Sequence, residues 1–421
     1  MNKKLPITCA LLLSSGLTMA QELPLKNVQI NGWGFFRHET KKDADYKASA
    51  KDKMDFNQTR LNVSIKGDLA ENYGYVFFAP QFSKVSGQNE FVNPGNPSQQ
   101  SSGALYDPRL DLHEAYIALR PTQNENFYLF AGRQELAYGD HLILGSVPWH
   151  RIGRSFDGAR LRYTFSQRLT ADAFSMKLQE NNATTNPDAQ QDANFHGIYL
   201  FGNQGKYFAN TDLYVLKKEN QRVGAFRDTT AYGARLKSKI GDTAFDYRAE
   251  GTLEQVRLAG ESSNRDAHQY SVELGYTLPI YTTRFGIEYF DASKNYDQLF
   301  PTAHKFMGFA DQFARRNLNG FVGHFSTKPI DKLSFLADYH VFRRSSNDNP
   351  AFNFAGASLG DAGSSRDVAS ELDLILAYDF SKTVQVSYGY SWVMPGEYLK
   401  DQSAKNNAET QWSYLQLLVR F

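Results

Sequence analysis

Apolar and polar residues alternate along most of this chain with a period of two, the repeat of a β-strand whose two faces meet different surroundings. The stretch 56–69 shows it most cleanly: Leu61, Val63 and Ile65 take one face, and Arg60, Asn62, Ser64, Lys66 and Asp68 take the other. The first such run is 27–37 and the last 410–421; about 18 are legible in all, each near the length a tilted strand needs to cross a bilayer. The links between runs alternate too. Short ones (70–72, 166–168, 202–205, 241–242, 381–382) take turns with long ones (38–54, 84–109, 137–154, 180–193, 294–316, 345–367, 393–409). The predicted fold class is therefore all-β: a transmembrane antiparallel up-and-down β-barrel with short periplasmic turns and long extracellular loops.

Composition sharpens this. The chain has 24 Tyr and 31 Phe but only 41% hydrophobic residues, and its mean hydropathy is negative. A barrel shows lipid only every second residue, so it never looks hydrophobic on average. Residues 1–20 carry Lys3 and Lys4, an apolar centre at 5–13 and small residues up to Ala20. That is the layout of a secretory signal peptide; its apolar centre is too short for a membrane anchor. Cleavage after Ala20 leaves 21–421 as a single barrel domain. Cys9, the only cysteine, lies in the leader, so thiol chemistry is excluded from the expected mature chain. Removing Lys3 and Lys4 from 46 basic residues leaves 44 against 45 acidic ones, which excludes the basic footprint of a nucleic-acid partner. At the far end Leu415, Leu417, Val419 and Phe421 share one face, and the terminal aromatic reads as the signal for the barrel-assembly machinery.

Candidate chemistry concentrates in one hairpin, where Arg133 enters a long loop and Arg154, Arg160 and Arg162 return from it. The non-apolar register of the other runs adds Arg60, Lys66, Arg235, Lys237, Arg248 and Arg284. Against them stand Asp68, Asp246, Glu250, Glu254, Glu273, Glu288, Asp338, Glu371 and Asp373. Guanidinium groups in a pore recognise carboxylated sugars through a planar paired-donor fork; the alternative is that they pair with the facing carboxylates. Catalytic and metal chemistry is not expected, and no cofactor is. The segment Gly356-Ala-Ser-Leu-Gly360 matches a nucleophile elbow but lies in a Gly/Ser-rich loop without a following helix, and His113 and Glu114, as strand neighbours, should face opposite ways. Tyr276, Tyr289, Tyr388 and Trp392 read as interfacial girdle residues.

Several blocks resemble the alginate-export family of outer-membrane barrels: 132–145 (GRQELAYGDHLILG), 147–161 (VPWHRIGRSFDGARL) and 296–311 (YDQLFPTAHKFMGFAD), with 113–119, 245–255 and 370–380 similar in the same order. The resemblance implies a monomeric channel for an anionic uronate polymer. It carries over Arg133, Arg154, Asp157 and Arg160, and His304, Lys305 and Asp311 in the 296–311 block. Where the family's exporter has a longer plugging periplasmic loop, the turn at 380–383 is short, so this chain is expected to gate differently or not at all. The expected path for an anionic saccharide comprises Arg133, Arg154, Asp157, Arg160, Arg162, Arg235, Arg248, Arg284, Glu250, Glu371, His304 and Lys305, with loop 84–109 or 137–154 folded inward. The remaining expected partners are outer-membrane lipid and lipopolysaccharide. A small-solute porin and a barrel-borne hydrolase are the alternatives.

Overall fold

The computed structural model describes residues 25–46, 53–69, 72–87, 109–121, 124–179, 193–220, 226–258, 260–363, 365–402 and 408–421; the expected leader and most of loop 84–109 lie outside them. Eighteen strands follow in order: β1 (Lys26–Lys42), β2 (Met54–Asp68), β3 (Gly74–Gly87), β4 (Arg109–Leu119), β5 (Phe127–Gln134), β6 (Phe156–Ser166), β7 (Leu169–Gln179), β8 (Ala193–Gly202) and β9 (Asn210–Asn220). The second half gives β10 (Phe226–Lys239), β11 (Phe245–Leu258), β12 (Arg265–Thr277), β13 (Arg284–Ala292), β14 (Leu318–Ile330), β15 (Leu333–Arg343), β16 (Asp367–Asp379), β17 (Val384–Pro395) and β18 (Thr410–Arg420). Each pairs antiparallel with its sequence neighbours, and β1 also pairs with β18, so the sheet closes on itself. Closure leaves no unpaired edge, the condition for strands to sit in lipid. The seam is completed by Gly32 and Phe421, each donating its N–H to the other's carbonyl, at 2.7 and 2.8 Å.

The period-two pattern sorts the faces. On β9, Leu213 and Val215 point out and are exposed, while Asp212, Tyr214 and Leu216 are buried inside. On β12, Val272 and Leu274 point out and Ser271 points in. Tyr276, Tyr289, Tyr388 and Trp392 all take the outward register of their strands. No helix among the described residues is long and apolar enough to cross a membrane; the crossing elements are strands.

At the long-loop end the interior is filled. The loop 135–155 after β5 and the loop 293–317 after β13 fold into the lumen and meet along a parallel bridge between Leu144 and Phe300. Their apolar residues have no partner in water and find one on the wall: Leu136, Leu144, Phe306 and Phe313 join Phe174, Phe195, Tyr214 and Phe342 in one buried core. The loop after β15 caps this core through Phe313 and Asn353, and a short helix, α1 (Glu397–Lys400), adds buried Tyr398 and Leu399. The long-loop half of the lumen is therefore largely packed with apolar side chains.

Between Ala79 and Pro80 of β3 the partner residue jumps from Glu114 to Leu112, making His113 the extra residue of a β-bulge. The bulge turns His113 and Glu114 to the same side. His113 Nε2 meets Glu135 at 2.7 Å, and Glu114 accepts the Glu135 N–H at 3.1 Å. The expectation that they face apart fails because the bulge suspends the alternation.

Candidate channel lumen and constriction

Main-chain oxygens of the inserted loops are held by cations. Arg37 on β1 donates to the Trp149 carbonyl at 3.0 Å, its guanidinium 3.7 Å from the indole centroid. Arg60 on β2 donates to the His150 carbonyl at 2.9 Å, and Lys41 to that of Ala310 at 2.6 Å. Arg154, on the first loop itself, donates to Gly145 at 3.1 Å, to Pro301 at 3.0 Å and to Phe300, stitching the two loops together. Burial brings its pKa down to about 10, so it stays charged at neutral pH. From β16 Glu371 accepts the Ala310 N–H at 2.8 Å and Asp373 that of Phe309 at 3.3 Å. Gly308 sits against the Glu371 carboxylate with φ +84°, where a side chain has neither the conformation nor the space.

Below this layer lies a charged belt. Asp140, near the tip of the first loop, is met by Arg235 at 3.3 Å, Lys237 at 3.1 Å and Arg248 at 3.1 Å. Burial pushes its carboxyl upward, but Arg235, Lys237, Lys305 and Arg248 together outweigh burial and hold it down at about 2. Arg235 also meets Asp212 at 2.5 Å, Arg248 meets Glu250 at 3.0 Å, and Arg284 meets both Asp246 and Glu273, at 2.6 and 2.7 Å. On β7 the buried Asp172 accepts from Arg162 at 2.7 Å and from the Tyr138 hydroxyl at 2.6 Å, with Arg160 at 3.5 Å. A cavity of about 370 Å³ opens under the loop between these groups, lined by Tyr138, Gly139, Arg162, Phe201, Asp212 and Arg235 among others.

The structure brings together Arg160, Arg162, Arg235, Arg248 and Arg284 on the inner wall, with Lys305 exposed on the inserted loop. Glu250 is there as the buried partner of Arg248. Arg154, His304 and Glu371 are interior but spent on packing: His304 stacks on Trp149 with centroids 4.4 Å apart and meets Asp311 at 3.0 Å, and Glu371 is 0% exposed. Arg133 and Asp157 are not on the lumen. They share the outward register of Leu129 and Leu161 and pair with each other at 2.6 Å, at the loop end of the hairpin. Asp140 and Asp172 escaped the sequence reading, one lying in a loop and the other between two alanines of β7, although its period-two position gave the signal.

Glu273, Glu288 and His324 place three donor atoms within 4.8 Å of one another. Arg284 and Ser271 already occupy the two carboxylates and Asp338 the imidazole, so the group is a salt-bridge cluster. Ser358 is hydrogen-bonded within its own turn, accepting the Gly360 N–H at 3.2 Å, and the next regular element is strand β16, not a helix.

The curated proteins compared with this chain yield no match. Among solved structures, OccK11 (OpdR) of Pseudomonas aeruginosa superposes with a TM-score of 0.63 at 16% identity, over 94% of this chain and 96% of that one. OccAB4 of Acinetobacter baumannii gives 0.65 at 12%, over 95% and 100%. Pseudomonas aeruginosa OpdK, solved with vanillate, gives 0.63 at 11%, over 94% and 99%. At these identities the likeness establishes the fold alone, a closed 18-stranded antiparallel barrel. The model of the alginate export family matches residues 35–412, nearly the whole barrel, and the chain belongs to that family.

Proposed function

We propose that this barrel is a passive channel for an anionic saccharide of the uronate type, drawn along Arg160, Arg162, Arg235, Arg248 and Arg284 and past Lys305. The observation that carries the reading is the sharing of one carboxylate, Asp172, by two guanidinium groups beside an open cavity. Arg235, Arg248 and Arg284 each meet two or more carboxylates; Arg160 and Arg162 share one, which leaves a positive charge in a position to meet a carboxylated sugar bidentately. In planar bilayers, Arg160→Gln and Arg162→Gln should each lower the anion preference read from reversal potentials. They should also weaken current blockade by an oligogalacturonate about tenfold, the scale of one charged hydrogen bond. Unchanged selectivity and blockade in both variants would remove the reading.

A second reading, a channel for small carboxylated solutes, is favoured by the filled long-loop half. OpdK, with the same fold, was solved with an aromatic carboxylate. Liposome swelling discriminates: galacturonate entry with no entry of its oligomers favours the small-solute channel.

A further inference from the structure

The inner wall carries a second feature that charge alone does not explain. Tyr75 and Phe77 on β3, Tyr116 on β4, and Tyr128 and Phe130 on β5 all take the inward register at the short-turn half. They form a continuous row: ring centroids are 5.1 Å apart for Phe77–Tyr116, 5.9 Å for Tyr116–Phe130 and 5.8 Å for Tyr128–Phe130, with Tyr75 6.2 Å from Tyr116. Rings on the outside of a barrel serve the lipid interface; these face the lumen. Among the described residues, the inserted loops do not bury them either. The buried core draws on strands from β6 to β18 and takes no residue from β3, β4 or β5, and four of the five rings remain partly open.

Cations rim the row. Arg160 lies 4.2 Å from the Phe130 centroid and Lys66 4.5 Å from that of Tyr75. Arg120 lies 4.8 Å from that of Tyr128 and donates to its hydroxyl at 2.6 Å. Lys66 has Asp68 at 3.8 Å and Arg160 shares Asp172, whereas Arg120 pairs with no carboxylate among the described residues. We infer that this row is a ring-stacking subsite for the uronate units of an oligosaccharide. The apolar C–H face of the pyranose lies on Phe77 and Tyr116, and its carboxylate turns to Arg120 or Lys66. A row of rings, rather than a single one, suits a chain of sugars, and the rim of cations suits a chain that carries charge. The inference rests on the channel reading above and adds to it a means of guiding sugars by their faces.

The test uses the full-length protein in planar bilayers with an oligogalacturonate, a maltodextrin and benzoate as probes. The double variant Phe77→Leu/Tyr116→Leu should weaken oligogalacturonate blockade about tenfold, ~1.4 kcal/mol, while salt conductance and anion preference hold. Tyr116→Phe should keep wild-type blockade, and Arg120→Gln should weaken blockade by the oligogalacturonate more than by the maltodextrin. Should the double variant not fold, Tyr128→Leu at the edge of the row gives the same readout. Wild-type blockade in the leucine variants overturns the subsite, as does benzoate blocking through these rings in place of the oligogalacturonate. Failure of the channel reading looks different: a wild-type pore with no anion preference, which removes both.

Discussion

Arg154, from the loop after β5, donates to the carbonyl oxygen of Pro301, from the loop after β13, at 3.0 Å. With its bonds to Gly145 and Phe300, this one side chain satisfies oxygens of both inserted loops. Arg154→Ala takes this donor from the Gly145 and Pro301 oxygens, while that of Phe300 keeps the Gly145 N–H at 2.9 Å; the cost is about 1–3 kcal/mol for each group stranded. The expected outcome is a lower melting temperature in detergent together with a larger, noisier single-channel conductance as the loops part. Lower stability at unchanged conductance would show that the loops keep their place without it.

Protonation of Asp140 should release the tip of the first loop. Its carboxyl is held at about 2 in the fold, below the ordinary carboxylate value of about 3.9. A depressed acid stabilises above the unfolded value and loses that contribution as pH falls through the folded one. Conductance attributable to loop release should thus be flat from neutrality to about pH 4 and change between there and about pH 2. Asp140→Asn should show the altered conductance already at neutral pH.

Gly308→Ala should disturb the second loop selectively. The residue has a positive φ and abuts Glu371, so a methyl group strains the backbone and displaces the acceptor of the Ala310 N–H. A loss of about 1–3 kcal/mol is expected, read as faster hydrogen exchange at 306–311 with barrel strands unchanged. Uniform loosening of the strands would contradict this.

On the outer face, Val272→Arg should cost about 2–4 kcal/mol of folding stability in bilayers if Val272 sits near the midplane. By contrast, Arg133→Ala, at the loop end of its hairpin, should leave both stability within about 1 kcal/mol and ion selectivity as in the wild type. Urea titration in vesicles measures the first and reversal potentials the second.

The strands were legible because a barrel wall enforces period two on every run, and each of the 18 runs read from the sequence overlaps one observed strand. Register was harder to read at strand ends. Counting charge as inward placed Arg133 in the pore, and the family resemblance placed Asp157 beside it, but at the loop end of a strand an ion pair can face outward at little cost. The bulge at His113 misled for the same local reason, one extra residue cancelling the alternation. That loop 137–154 folds inward was one of two alternatives offered; most of the other, 84–109, lies outside the described residues. The insertion of 293–317 was not anticipated, although its run of Phe306, Met307, Phe309, Ala310 and Phe313 has no place in an exposed loop. Ion pairing was legible only as an alternative, since which carboxylate meets which arginine depends on stagger between strands.

Arg37, Arg60, Lys41 and Arg154 grip the inserted segments by peptide oxygens, which every amino acid supplies alike. Side chains lining the passage can therefore be exchanged without loosening the fastening that positions them. A barrel fastened this way can drift toward new cargoes while its architecture stays put.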